Sequence, residues 1–210
     1  MSDNLDTVKS DIEKSRGYHH GSLRSALIEA AEAVIAERGL DRFSLRETAR
    51  RAGVSPAAPA HHFGDVRGLL TAIAAQAFAD LANALATADA EAGQEREARI
   101  KAQGKAYVAF ALERPARFDL MWRKTLLDND DPEINLQGDR AFDVLNRVTR
   151  APGAPSTGTS DPALAPSIAA WALVHGFARL AIDGVFGPGP DAAEAAARTL
   201  LPLVLDHLEV

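Results

Sequence analysis

The sequence predicts an all-α protein, on three observations. Apolar residues recur at three- and four-residue spacing in every long segment, the period of a half-buried helix. The chain is alanine-rich and 47% hydrophobic, with no β-branched runs in strict alternation. Capping residues, glycines and prolines fall at the ends of the periodic segments, where helices start and stop. The expected architecture is an N-terminal three-helix bundle containing a helix-turn-helix, followed by a larger helical bundle, with about nine helices in all.

The first helix is expected from about Ser22 to Arg38. Leu23, Leu27, Ala31, Val34 and Ile35 form its apolar stripe, and Gly39 ends it. The stretch Ser44 to Phe63, SLRETARRAGVSPAAPAHHF, then reads as two short helices joined by a tight turn. Ser44 and Glu47 have the spacing of a capping box. Leu45, Ala49 and Ala52 repeat on one face, with Arg46, Arg50 and Arg51 elsewhere. Gly53 supplies the left-handed turn residue. Ser55 is expected to cap the second helix, with Pro56 at its first position, where a missing N–H costs nothing. Pro59 also removes a helical donor and fits only within the first turn or so. Helix, Gly-containing turn and second short helix make a helix-turn-helix; the pattern alone also suits an ordinary helical hairpin.

Asp65 is placed to cap a long helix carrying Leu69, Leu70, Ile73, Ala77, Phe78, Leu81 and Leu85. Glu113-Arg114-Pro115 and Asp128 to Pro132 punctuate the middle of the chain, and Ala151 to Pro162 reads as a flexible Pro/Gly/Ser/Thr loop. Two apolar helices close the chain, about Pro166 to Val185 and Asp191 to Leu208, the latter opened by an Asp191/Glu194 capping box. Residues 1–17 read as a disordered tail, 18–64 as the helix-turn-helix domain and 65–210 as a second domain. In the tail, Lys9, Lys14 and Arg16 suit either a solvated segment or a phosphate contact.

Composition excludes several functions. The 210 residues contain no cysteine, so no disulfide framework, thiolate nucleophile or Cys-ligated zinc is available. The polar N-terminus lacks a signal-peptide core. Ala163 to Ile182 is apolar enough to raise a membrane span, but Pro166, His175 and Arg179 within it are expensive in lipid. There is no phosphate loop, H-E-x-x-H or G-x-S-x-G elbow. His175 and Asp183 lie about 12 Å apart along a helix, too far to hydrogen-bond. No catalytic residue, metal or cofactor is expected, and the protein is expected to be soluble and cytoplasmic.

Charge is uneven. Residues 14–62 hold eight Lys or Arg against five acids, whereas residues 63–210 hold fourteen against twenty. Phosphate binding needs cations, so the N-terminal third is the expected nucleic-acid face. Ser44 and the amides of its helix suit a phosphate, and Arg46 in the first turn adds a charged contact. The second helix would enter the major groove with Ser55, Pro56, Ala57, Ala58 and Ala60. Such small residues meet a thymine methyl but cannot make bidentate hydrogen bonds to guanine or adenine. His61 and His62 are either phosphate donors or surface and cap-satisfying residues, and Phe63 is expected in the core.

Helix, linker, helix-turn-helix and long helix together resemble the TetR family of transcription regulators. The residues carrying this resemblance are Ala30-Ala31, Arg38-Gly39, Phe43 to Arg46, Ala49, Ala52 to Ser55, His61 to Phe63 and Leu69-Leu70. Trp171 to Gly184, WALVHGFARLAIDG, is similar to the W-x-x-x-H-G signature of one group of TetR C-terminal domains. Arg114-Pro115, Phe118 and Leu120-Met121 are similar to the segment preceding it. The resemblance implies a dimer on a palindromic double-stranded operator, released by a small hydrophobic effector. It also implies an effector pocket drawn from Tyr107, Phe110, Phe118, Met121, Trp122, Phe142, Trp171 and His175, with Arg123, His175 or Tyr107 as polar handles. The last two helices would pair with their copies through Trp171, Phe177, Leu180, Leu201, Val204, Leu205 and Leu208.

The chain departs from the family at two anchors. Ala60 stands where a tyrosine usually contacts the DNA backbone, and Val66 stands where a lysine usually does. Arg67 is the available substitute for that lysine. The competing reading is an all-α small-molecule-binding or interaction protein whose helix-turn-helix has weak or lost DNA affinity.

Overall fold

The computed structural model describes residues 23–150 and 161–208. The expected tail, 1–17, and most of the expected loop, 151–160, lie outside the described residues. Helices dominate, and no strand occurs among the described residues. In order they are α1 (23–38), α2 (Leu45–Arg51), α3 (Ala58–Phe63), α4 (Val66–Glu91), α5 (Arg96–Glu113), α6 (Pro115–Met121), α7 (Pro132–Thr149), α8 (Ala165–Ile182), α9 (Pro190–Thr199) and α10 (Leu201–Leu205). Short 3-10 turns occupy Leu40–Arg42, Lys124–Leu126 and Pro162–Leu164.

The chain divides into two compact units, residues up to 73 with 125–128, and 74–124 with 129 onward. The division runs through α4 rather than ahead of it. In the first unit, Leu27, Ala31, Val34 and Ile35 of α1 are buried with Ala49 of α2 and Leu69, Leu70 and Ile73 of α4. Gly53 ends α2 with a positive φ of 68°. Its N–H donates to the Arg50 carbonyl, and that of Val54 to the Ala49 carbonyl, at 3.3 and 3.0 Å. These two bonds make a Schellman motif, which satisfies carbonyls that α2 would otherwise orphan. Asp65 caps α4 as expected: its Oδ1 accepts from the Gly68 N–H at 2.8 Å.

Three expected helix starts are corrected. Ser44 is the N-cap of α2 in extended conformation, but its side chain makes no cap bond. Glu47 does not reach back to it, because three arginines hold its carboxylate instead. α3 begins at Ala58, not Pro56, and its cap is Ala57, not Ser55. Pro59 has no N–H, so the bond drawn from His61 to the Ala57 carbonyl, at 3.0 Å, sets the start. Pro59 thereby falls in the first turn, where its missing donor is harmless. α9 begins at Pro190 after Gly189, and no Asp191 capping bond forms.

In the second unit α5 packs on α8, with α7, α9 and α10 also against α5. Phe118, Val108 and Ala111 are fully buried, and Tyr107, Met121, Val174 and Phe177 nearly so. Gly104 of α5 makes close approach possible: a Cβ there would lie 2.8 Å from Cδ2 of Leu205 and 3.2 Å from Cγ1 of Val174. α7 is capped by Asp131, whose side chain accepts from the Glu133 and Ile134 amides. The single closing helix expected after residue 190 is broken at Leu200. Pro202 cannot donate to the Arg198 carbonyl, and its ring crowds the preceding turn.

Two segments, Val66–Glu91 and Pro162–Ile182, are long and apolar enough to cross a bilayer by length and composition. A protein-core helix passes the same test, and 56% of the apolar window of α4 is buried within the protein.

Candidate DNA-binding face and ligand cavity

Charge on the helix-turn-helix is internally organised. Glu47 accepts from Arg38 at 3.1 Å, from Arg50 at 2.8 and 2.9 Å and from Arg51 at 3.3 Å. Arg51 also grips Glu37 with two guanidinium nitrogens. The Arg50 hydrogen bonds, opposed by desolvation and reinforced by Arg51, hold the Glu47 carboxyl down to about 2. Arg38 and Arg51 therefore tie α1 to α2, and Arg50 is committed to Glu47 within α2. Arg46 is exposed and makes no such pair. It is the one cation of α2 with no acidic partner among the described residues.

Ser55, Pro56, Ala57, Ala60 and His61 are exposed, and Ala58 and His62 are half-buried. The two imidazoles meet edge to face, with centroids 5.6 Å apart. Phe63, expected in the core, is only half-buried and lies under the Arg24 guanidinium, 5.2 Å from the ring centre. Arg67 is exposed and donates weakly to the Thr125 carbonyl at 3.4 Å.

The second unit carries a cavity of about 480 Å³, in the range of sites that take drug-sized molecules. Tyr107, Trp122, Phe142 and Trp171 line it as expected, joined by Phe78 and Gln103. Four expected lining residues are corrected. Phe118 and Met121 are buried in the core beside it, Phe110 packs against that core, and His175 lies behind Tyr107, its hydrogen-bond partner. Arg123 is exposed and paired with Asp119 at 2.9 Å, so it is not a polar handle of the cavity.

A short relay runs along the aromatic wall. Trp171 Nε1 donates to the Tyr107 hydroxyl at 3.3 Å, and that hydroxyl lies 2.9 Å from His175 Nδ1. The hydroxyl can accept from Trp171 and either donate to Nδ1 or accept from it, and the tautomer of His175 sets which. Burial, then Arg179, lowers the His175 pKa, and burial raises that of Tyr107. Both groups are neutral at pH 7 and act as hydrogen-bonding partners, not as charges.

Residues 27–73 match the model for bacterial regulatory proteins of the tetR family, and residues 100–203 match the tetracyclin repressor-like C-terminal domain. A protein of unknown function from Rhodococcus sp. RHA1 shares 34% identity over 88% of this chain and 96% of its own, with a TM-score of 0.68. The chain belongs to the TetR family.

Two more distant TetR-family structures share the fold. The transcriptional regulator PfmR from Thermus thermophilus is 22% identical over 88% of this chain and 99% of its own, with a TM-score of 0.63. A bacterial regulatory protein from Rhodococcus RHA1 is 19% identical over 89% and 96%, with a TM-score of 0.64. Among curated proteins, no sequence matches this chain. It is a DNA-binding regulator of the TetR type, with a helix-turn-helix unit and an all-helical C-terminal unit.

The apolar face expected to join two TetR-type subunits is largely reassigned. Phe177, Leu201 and Leu205 are buried in the protomer's own core, at 5%, 1% and 1% exposure. Trp171 and Leu208 line the cavity, and Val204 packs against the core. Of the seven only Leu180 is exposed, and Ile168, Val185, Leu200 and Leu203 are also exposed large apolar residues of the second unit. Leu201 and Leu205, four apart, share the inward face of α10. Leu200 and Leu203, three apart, take the outward one.

The sequence reading also missed Gln103. It lies between Ile100 and Tyr107 on the buried stripe of α5. A lone amide on an apolar stripe is the signal that marked it.

Proposed function

We propose that this regulator acts as a homodimeric repressor on a palindromic operator and lets go when a small molecule fills the cavity. In this reading the first unit holds the DNA. Ser44 and Arg46 take the backbone, Ala57, Ala58 and Ala60 face the groove, and His61, His62 and Arg67 flank them. The observation that carries it is the exposed run Ser55 to Ala57 with Ala60 and His61, together with the exposed Arg46, which has no acidic partner among the described residues. Two subunits double the few base pairs one short helix can reach.

The dimer is supported by unburied apolar surface. Only 33% of the apolar window of Pro162–Ile182 is covered within one protomer. Leu180 and Leu203 are 46% and 59% exposed. A second copy of α8 and α10 would cover such a surface. An effector need only bind more tightly to the non-DNA arrangement of the two recognition helices to release them. The protein functions by binding, not by catalysis, in the cytoplasm where its operator lies.

A mobility-shift assay against the DNA upstream of its own coding region tests this directly. A retarded band that fades steeply with salt, and is lost in Ala57→Glu, is the expected result. Selection from random duplexes that yields no palindrome at low salt overturns the repressor reading. It would favour a ligand-binding protein with weakened DNA affinity, the reading that alanine at position 60 keeps in play.

A further inference from the structure

The chemistry of the cavity narrows what fills it, given the reading of the cavity as the effector site. Its wall is aromatic, with Tyr107, Trp122, Phe142 and Trp171 lining it together with Gln103. Gln103 is 1% exposed. Its Nε2 donates to Asp89 Oδ1 at 2.8 Å and, more weakly, to the Val144 carbonyl at 3.4 Å. Asp89 is itself held by a two-point grip from Arg99, at 2.9 and 2.6 Å. Turning the Gln103 amide over would set its oxygen against that carboxylate and that carbonyl. The orientation is therefore fixed, and Oε1 is left as a buried acceptor without a protein partner.

A buried acceptor lacking a donor carries a cost of about 1–3 kcal/mol, which a donating ligand removes. The indole N–H of Trp122, another wall residue, is also buried without a partner among the described residues. The Tyr107 hydroxyl is already committed on both sides, to Trp171 and His175.

Charge decides the rest. Among the described residues lining the cavity, Lys124 is the one cation and Asp139 the one carboxylate, and both are exposed. A bound carboxylate would face the Gln103 oxygen with Asp89 behind it and find no buried cation. A bound ammonium would find Asp89 already spanned by Arg99. Either ion would lose its water without a partner.

We propose that the cavity takes an uncharged, aromatic-bodied molecule bearing a hydroxyl or N–H group that donates to Gln103 Oε1.

Calorimetric titration of the full chain with four probes tests this: 2-naphthol, naphthalene, 2-naphthoate and 2-naphthylmethylammonium. The expected order puts 2-naphthol first, about tenfold tighter than naphthalene, as one good hydrogen bond supplies. The two ions should be the weakest. Naphthalene should compete with 2-naphthol for one site. Both tryptophans of the chain line the cavity, so the near-ultraviolet circular dichroism of the same samples should change on binding. Gln103→Met should erase the preference for naphthol while leaving naphthalene affinity within about twofold. The ranking on the unmodified protein stands without that variant, should its fold suffer. Equal binding of naphthol and naphthalene, tighter binding of either ion, or an unaltered tryptophan signal overturns the inference. Binding of 2-naphthol in the expected order without loosening a DNA complex supports the ligand class and refutes effector release alone. Normal DNA binding with the wrong probe order does the reverse.

Discussion

The two units of this chain put their chemistry on opposite sides of their surfaces. In the first unit the groups of interest face outward, on short elements whose positions are set by a few local devices: the Gly53 turn, the Pro59 start and the Asp65 cap. In the second unit they face inward, around a cavity whose wall comes from α4, α5, α7 and α8, far apart in sequence. The first unit commits three of its arginines to internal pairs, since Glu47 and Glu37 absorb Arg38, Arg50 and Arg51. The second leaves Gln103 Oε1 and Trp122 Nε1 buried without a partner among the described residues. A binding surface for a polyanion is made by leaving a cation free, and a pocket for a neutral molecule by leaving an acceptor free.

Substitutions test that contrast. The largest effect is expected in the second unit. Leu205→Ala removes a side chain that fills the space above Gly104, and should lower stability by about 3 kcal/mol in denaturant unfolding. Leu203→Arg, two residues away but outward, should leave the melting temperature of the protomer nearly unchanged while giving a monomer in sedimentation at half-molar salt. If Leu205→Ala is silent in unfolding, the inward face of α10 has been misread.

Next comes a gain in the first unit. Val66 is 40% exposed and Ala60 is exposed. Ala60→Tyr with Val66→Lys should tighten operator binding by about 1–3 kcal/mol through two added phosphate contacts. Unchanged affinity would show that α3 docks differently from its relatives.

A smaller change is expected at Arg46. Arg46→Ala should weaken binding to all sequences alike and reduce the salt slope by roughly one unit, whereas Arg50→Ala should act chiefly on stability, through Glu47. Equal effects of the two on the salt slope would erase the distinction between free and committed arginines.

The smallest effect is a pH dependence. The folded-state pKa of Glu47 is depressed to about 2 from an ordinary 4.5. Its contribution to stability is therefore complete above pH 4.5 and is lost as pH falls toward 2. Glu47→Gln should flatten the acid limb of the thermal stability profile in that window. An identical profile for both proteins would show that the three arginines gain nothing from the ionised form.

Legibility followed the same divide. Apolar spacing located the helices, and Gly39, Gly53, Asp65 and Pro115 marked their ends, because a cap or a missing donor acts within a few residues. The capping box expected at Ser44 fails for a related reason. Its spacing is right, but three arginines, one of them from α1, compete more strongly than the cap for Glu47. In the second unit four of the eight expected pocket residues line the cavity. Aromatic identity marks bulk without saying which side of a helix meets empty space.

The helical class and the helix-turn-helix with its small-residue second helix were readable from the order of residues alone, and the missing tyrosine and lysine anchors from the chain's resemblance to the TetR family. They depend on period, local capping and residue identity, which run along the chain. Three other features emerged only from the folded arrangement: which leucines of α10 face inward, which arginines stay free, and that Gln103 keeps an unmatched oxygen beside an aromatic cavity. Each of those depends on partners brought together from distant segments. Which partner wins a carboxylate, or fails to reach a carbonyl, is settled by packing.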